Sequence, residues 1–177
     1  MSFNYKTPNG TIFIERNVVC FKPKEGDKNE IKIQSNISAS ILIGDFPMYV
    51  VVGCVDGNVI SIEFPSCSQT VITRNQLAKI KSISALPDTH RYLTLTVDDQ
   101  GSVLIYDHLY NKKVIYSPPL PSQIISVEYF YPLCVMLFSY ADGRSFVWSL
   151  DTGSLLSTLQ YSVPQDRIKS TIVYQTI

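Results

Sequence analysis

Histidine, alanine and long apolar runs are what this sequence is short of, and each shortage excludes something. Only His90 and His108 are present, on different predicted turns and with no Cys, Asp or Glu at ligand spacing. Both are therefore expected to be turn or surface histidines, and no metal site is expected. The four cysteines, Cys20, Cys54, Cys67 and Cys134, form no Cys-x-x-Cys pair. Cys54 and Cys134 fall in apolar runs and are expected to be buried, reduced thiols. No glycine-rich phosphate loop, nucleophile elbow or His-Glu-x-x-His motif occurs, so no cofactor is expected and the chain does not read as an enzyme. The one acidic pair, Asp98-Asp99, sits in a predicted turn, where one carboxylate is expected to accept backbone N–H bonds. Neighbouring turn residues point apart, whereas general acid–base work needs two carboxylates facing one cleft.

With only four alanines among abundant Val, Ile, Tyr, Thr and Phe, strands are favoured over helices. There is no run of ~18 apolar residues, the length a membrane span needs. The start, Met1 to Lys6, is too polar for a signal peptide, so a cytosolic or nuclear location is expected. The Asn9-Gly10-Thr11 and Asn36-Ile37-Ser38 sequons then carry no weight. Lys plus Arg and Asp plus Glu balance at 15 each, which removes any global field for nucleic acid or an anionic membrane. The densest charge run, Lys22 to Glu30, mixes both signs and contains no aromatic, as a solvated loop does.

What is present is a repeat. Asp56-Gly57-Asn58-Val59-Ile60-Ser61-Ile62-Glu63, Asp99-Gln100-Gly101-Ser102-Val103-Leu104-Ile105-Tyr106-Asp107 and Asp142-Gly143-Arg144-Ser145-Phe146-Val147-Trp148-Ser149 each set a turn glycine before an apolar strand. The fifth residue after each glycine is bulky: Ile62, Tyr106, Trp148. The glycines are 44 and 42 residues apart, and Ile80, Ile124 and Ile168 share a 44-residue spacing. Two independent markers give one period, of the length of a propeller blade. Recurrence of Asp56, Asp99 and Asp142 at the turn argues for a structural role, since a catalytic residue is needed once per site.

On these residues the sequence resembles the WD40-repeat family of β-propellers over about residues 37–177. Tyr106-Asp107 is close to that family's Trp-Asp dipeptide, Trp148-Ser149 keeps the Trp, and Ile62-Glu63 keeps only the character of both. The family's Gly-His dipeptide is missing throughout, so its usual His–Asp–Ser–Trp hydrogen-bond network is not expected. The resemblance implies an all-β fold: blades of four antiparallel strands, forming an incomplete propeller.

The expected blades cover about 37–79, 80–123 and 124–167, with strand A of a further blade at 168–177. Strands are expected at 40–43, 49–54, 58–64 and 70–73; at 81–86, 92–97, 102–106 and 113–116; and at 125–129, 134–139, 145–150 and 154–159. Residues 1–36 are less regular; Thr11 to Ile14, Val18 to Phe21 and Ile31 to Ile33 read as strands that fit the C and D positions of an opening blade. Strand C is apolar on both sides in each blade, as expected when both of its faces are covered. A charge at Val103 or Val147 should then unfold its blade. A chain ending inside a strand A reads as a partial propeller, completed by further sequence, another chain or a second copy.

In WD40 order, A–B turns and D–A loops lie at opposite ends. Phe46, Met48, Tyr49 and Tyr131 fall in A–B turns; Leu120, within Pro118-Pro119-Leu120-Pro121, and Tyr161 fall in D–A loops. Aromatic, Met and Leu side chains in exposed loops are anchor types for protein partners, and their alternative role is to cap the core. The leading reading is thus a non-enzymatic protein-interaction scaffold, a subunit of a larger assembly. The alternative is a propeller that binds a small ligand or lipid head group, or a propeller enzyme. That reading requires His or paired carboxylates converging at one end, and the paired-Arg motif of lipid-binding relatives is missing here.

Overall fold

The glycine-led turns generate a stack of four-stranded antiparallel sheets. A computed structural model describes residues 2–45, 47–73, 78–87 and 90–160. Strands take up 63% of it and helix 3%, so the chain is all-β. The first sheet contains β1 (Ser2–Thr7), β2 (Gly10–Glu15), β3 (Val18–Pro23) and β4 (Asn29–Lys32). The second contains β5 (Ile37–Ile43), β6 (Met48–Cys54), β7 (Val59–Phe64) and β8 (Ser68–Thr73). The third contains β9 (Ile80–Ala85), β10 (Leu93–Asp98), β11 (Val103–Asp107) and β12 (Lys112–Ser117). The fourth contains β13 (Ile124–Phe130), β14 (Val135–Tyr140), β15 (Arg144–Ser149) and β16 (Leu155–Gln160). Each sheet is a meander with its strands in sequence order. The stack is not closed, and the architecture fits an incomplete propeller-like fold.

The repeat is carried by backbone conformation. Gly57, Gly101 and Gly143 adopt φ of 84°, 83° and 85°, the left-handed region that a Cβ penalises. The B–C register after each is the same: Val50 faces Ile62, Thr94 faces Tyr106 and Met136 faces Trp148. At the same end, the B–C turn of each of these sheets is tied to the loop before its first strand. Val55 N–H donates to Asn36 O, Asp99 N–H to Lys79 O and Ala141 N–H to Gln123 O, at 2.8–2.9 Å.

Apolar side chains fill three seams between successive sheets. Ile12, Ile14, Val19 and Phe21 of the first sheet pack on Val50, Val52, Ile62 and Phe64 of the second. Val51 and Val59 of the second meet Ile80 of the third. Leu95, Val103 and Ile105 of the third meet Val127, Met136 and Phe138 of the fourth. Each buried Val, Ile or Leu stabilises by about 1.5–3 kcal/mol, so strands covered on both faces are the anchors. β6 is buried at every position and β10 likewise.

Three expectations change. Ser2 to Lys6 is not an irregular start: β1 turns Phe3 and Tyr5 inward and Ser2, Asn4 and Lys6 outward, giving the first sheet all four strands. Thr11 to Ile14 is therefore its second strand, not a strand C. Val147 is only half-buried and β16 is exposed along its length, because nothing among the described residues covers the outer face of the fourth sheet. The strand expected over 168–177 and the loop residue Tyr161 lie outside the described residues, as does Phe46.

The difference between covered and open faces is measurable. Val103 is fully buried. Val103→Asp should lower stability in urea titrations by more than about 3 kcal/mol, with loss of cooperative unfolding. Val147→Asp should cost about 1 kcal/mol. Equal costs would contradict the one-sided burial of β15.

Candidate functional site

The strand connections collect at two ends of the stack. One carries the A–B and C–D turns, shown by Lys24 N–H donating to Asn9 O and by the Arg91–Asp45 ion pair at 2.8 Å between the third and second sheets. The other carries the B–C turns and D–A loops.

At the B–C end the recurring carboxylates have structural partners. Asp56 accepts from Asn58 N–H at 3.1 Å and Asp142 from Arg144 N–H at 3.1 Å. The Arg144 guanidinium, hydrogen-bonded to Asp142, also lowers that carboxyl below its usual range. In the third sheet the turn acceptor is Asp98, not the Asp99 expected from the repeat. Its Oδ1 accepts from Gln100 N–H at 3.0 Å and Ser102 N–H at 2.8 Å, while Asp99 is exposed. The three turns are equally long, closed by Gly57, Gly101 and Gly143 N–H donating to Cys54, Asp98 and Tyr140 O. The difference is that Gln100 stands immediately before the glycine where the other two turns have Asp, so the carboxylate comes from the first turn position instead.

The Tyr106-Asp107 and Trp148-Ser149 pairs serve the C–D turns. Asp107 Oδ1 accepts from Leu109 and Tyr110 N–H at 2.9 and 3.0 Å, and Ser149 Oγ accepts from Thr152 N–H at 3.2 Å. Ser thus substitutes for Asp as a turn acceptor. The hydroxyl of Tyr106 donates to Asn111 Oδ1. Trp148 packs in the seam with the third sheet, and its buried indole N–H has no hydrogen-bond partner among the described residues. A Trp-centred network is therefore not what ties these sheets together.

The seam between the second and third sheets is tied by His108. It is 5% exposed, not a surface histidine, because its turn folds beneath the neighbouring sheet. Nδ1 lies 2.9 Å from Ser61 Oγ of β7 and Nε2 lies 2.8 Å from Thr94 Oγ1 of β10. The rings of Tyr49 and Tyr106 pack against it at 5.7 and 5.2 Å. Burial holds it neutral by lowering its pKa to about 4. In the neutral ring one nitrogen donates to a hydroxyl and the other accepts from one, so both nitrogens are satisfied.

The partner-facing candidates separate sharply. Met48 and Tyr49 are buried at 7% and 8%, since β6 begins at Met48, and they cap the core. Leu120 is half-buried against the third-to-fourth seam. Tyr131 is 37% exposed, in a single 3-10 turn Tyr131–Leu133. Its neighbour Leu133 is 74% exposed, and Leu109 and Tyr110, in the adjacent sheet's C–D turn, are 45% and 74% exposed. These four side chains are all at the A–B/C–D end. Sequence reading passed over Leu109 and Tyr110 because they follow an apparent turn rather than an apolar motif.

The same end brings together three side chains that local spacing kept apart. A ring nitrogen of His90, Sγ of Cys134 and a carboxylate oxygen of Asp151 lie within 4.8 Å of one another, and all three residue types ligate metals. Cys134 is not a buried strand residue: it is half-buried in the left-handed conformation (φ 48°) after the 3-10 turn. All four cysteines are free thiols, and burial pushes the Cys54 thiol up to about 11. Elsewhere, a groove of about 750 Å³ on the outer face of the first sheet is lined by Phe13, Val18, Cys20, Lys22, Lys28 and Glu30.

No protein-family model matches this chain, and no curated protein matches it in sequence. No helix among the described residues is long and apolar enough to cross a membrane.

His108 makes stability depend on pH. Its folded pKa lies below its unfolded value of 6.5. Below pH 6.5 the unfolded chain therefore gains a proton that the folded one excludes. The stabilisation present above that pH is lost as pH falls towards 4, by an amount on the order of 3 kcal/mol. Urea midpoints across this window should fall in the wild type, and His108→Gln should flatten that part of the curve.

Proposed function

We propose that this protein is a non-enzymatic interaction scaffold of WD40-like blades, which binds protein partners at its A–B/C–D end as a subunit of a larger assembly. One observation carries the reading: Leu109, Tyr110, Tyr131 and Leu133 project from turns of two adjacent sheets at one end, each at least 37% exposed. At the opposite end Val55, 43% exposed, is the one large apolar side chain so exposed on a turn among the described residues, while Val71 and Leu159 are exposed on the D strands near that end. Exposed Tyr and Leu on turns held by packed strands present apolar area with little conformational entropy left to lose, which suits interface anchors. The turns are rigid locally: Asp107 fixes the Leu109–Tyr110 turn, and Cys134 N–H donates to Tyr131 O at 3.2 Å. The carboxylates of Asp56, Asp98 and Asp142 accept backbone N–H bonds at their turns, which supports a structural role for them and fits a scaffold. On this reading the protein works inside the cell, in the cytoplasm or nucleus.

The experiment is an affinity capture from cells with tagged wild type and a Tyr131→Ser/Leu133→Ser variant, analysed by quantitative mass spectrometry. Specific partners should be reduced at least tenfold, about 1.4 kcal/mol of binding. The melting temperature should stay within about 2 °C, since exposed positions change stability little. A steep fall in melting temperature would mean that these side chains cap the core. Unchanged capture by a folded variant would place binding elsewhere.

A further inference from the structure

We propose that His90, Cys134 and Asp151 form a divalent metal site, suited to zinc, that staples the third sheet to the fourth. The three ligand atoms lie within 4.8 Å of one another and supply one nitrogen, one sulfur and one oxygen. That mixed set matches the borderline softness of zinc, which accepts all three donor types and takes four ligands in a tetrahedron. Three protein ligands leave a fourth position for water.

The three elements that carry these side chains are each held in place by contacts of their own. His90 comes from the A–B connection of the third sheet and Cys134 from the equivalent connection of the fourth, one 44-residue repeat later. Cys134 is fixed by its own N–H to Tyr131 O and by Leu150 N–H donating to its carbonyl at 2.8 Å. Asp151 belongs to the C–D turn of the fourth sheet. That turn lies against β12: a Cβ at Gly153 would collide with the backbone carbonyl of Val114, so the turn is pressed onto the third sheet. None of the three ion pairs among the described residues involves Asp151.

With Nε2 as the metal ligand, Nδ1 of His90 is left for an outer partner. Tyr129 Oη lies 2.7 Å from His90 Nδ1, and the two rings meet edge to face at 5.7 Å. Such a contact sets the ring plane and tautomer, the job done by the outer partner of a ligating histidine. Tyr129 belongs to the fourth sheet, so the seam is bridged twice at this point. On binding, Cys134 gives its proton to solvent and its 3.7 Å thiol contact with Tyr131 O is replaced by a metal–thiolate bond.

The test uses the full chain, stripped with chelator, and titrates it with Zn²⁺ against a chromophoric indicator and with Co²⁺ by absorption spectroscopy. The wild type should bind about one equivalent. Its Co²⁺ form should show thiolate-to-cobalt charge transfer and the intense visible bands of a tetrahedral site. Cys134→Ser should lose the charge-transfer band, while Cys67→Ser, which removes the other half-buried thiol, should keep it. Asp151→Asn, at an exposed turn position, should weaken Zn²⁺ binding at least tenfold, and Tyr129→Phe by roughly 10–100-fold. Folding of each metal-free variant is checked by circular dichroism, and the Asp151→Asn result stands if Cys134→Ser does not fold. Charge transfer that survives Cys134→Ser, weak octahedral cobalt spectra alone, or unchanged affinity in Asp151→Asn would overturn the proposal.

Discussion

Each sheet of this protein is apolar on its faces and must be covered by another sheet; everything else in the structure follows from that constraint. A four-stranded meander alone exposes one or both faces to water, and stacking removes that exposure. The second and third sheets are covered on both sides, which is why β6 and β10 are buried throughout. The first and fourth are covered on one side among the described residues. Their outer faces accordingly mix types: Phe13, Cys20 and Lys22 on the first, half-buried Val147 and exposed β16 on the fourth.

An apolar seam by itself would let sheets slide, since branched aliphatic side chains repack at modest cost. Polar ties fix the register. Tyr5 Oη meets Ser40 Oγ at 2.8 Å across the first seam, and Ser38 Oγ donates to Ile80 O at 2.7 Å across the second. His108 adds a second tie there. A neutral buried imidazole with a hydroxyl on each nitrogen is satisfied in one alignment only, and a slip of either strand would strand a polar group in an apolar seam. The third seam has the His90–Tyr129 contact. Specificity of stacking thus rests on few groups, and stability on many.

Sequence showed the parts whose cause is local. Turn glycines at positive φ, the β-branched runs after them and the 44-residue phase are properties of neighbouring residues, and they located the strands of the second, third and fourth sheets to within a few positions. It failed where the cause is tertiary. β1 alternates correctly, yet its polar half hid Phe3 and Tyr5, which become visible as core residues only beneath the second sheet. Met48 looks like a loop tip after Pro47 and Tyr49 like the exposed edge of the expected strand 49–54, but the neighbouring seams bury both at the start of β6. His108 follows a turn dipeptide, and nothing near it in sequence says that this turn lies under Ser61, 47 residues away. Val147 lies opposite Leu137 as Ile105 lies opposite Leu95, the same register position in successive sheets; Ile105 is fully buried and Val147 half-buried, because a further sheet covers only the first.

The same logic explains why chemistry was hard to find. In a stack of repeats, equivalent turn positions of adjacent sheets lie side by side, so side chains that meet are one period apart rather than three or four residues apart. His90 and Cys134 are such a pair, and no motif with local spacing could reveal them. Strand positions are held by packing and resist change of residue type. Turn positions lie beyond the seams, so successive repeats can carry different side chains there: His at one, Cys at the next. A C–D turn beside them adds a third donor without disturbing a strand. Mixed-donor sites in this architecture should therefore arise at the junction of two sheets, at the end where A–B and C–D turns meet. That is also the end where Tyr131 and Leu133 remain exposed.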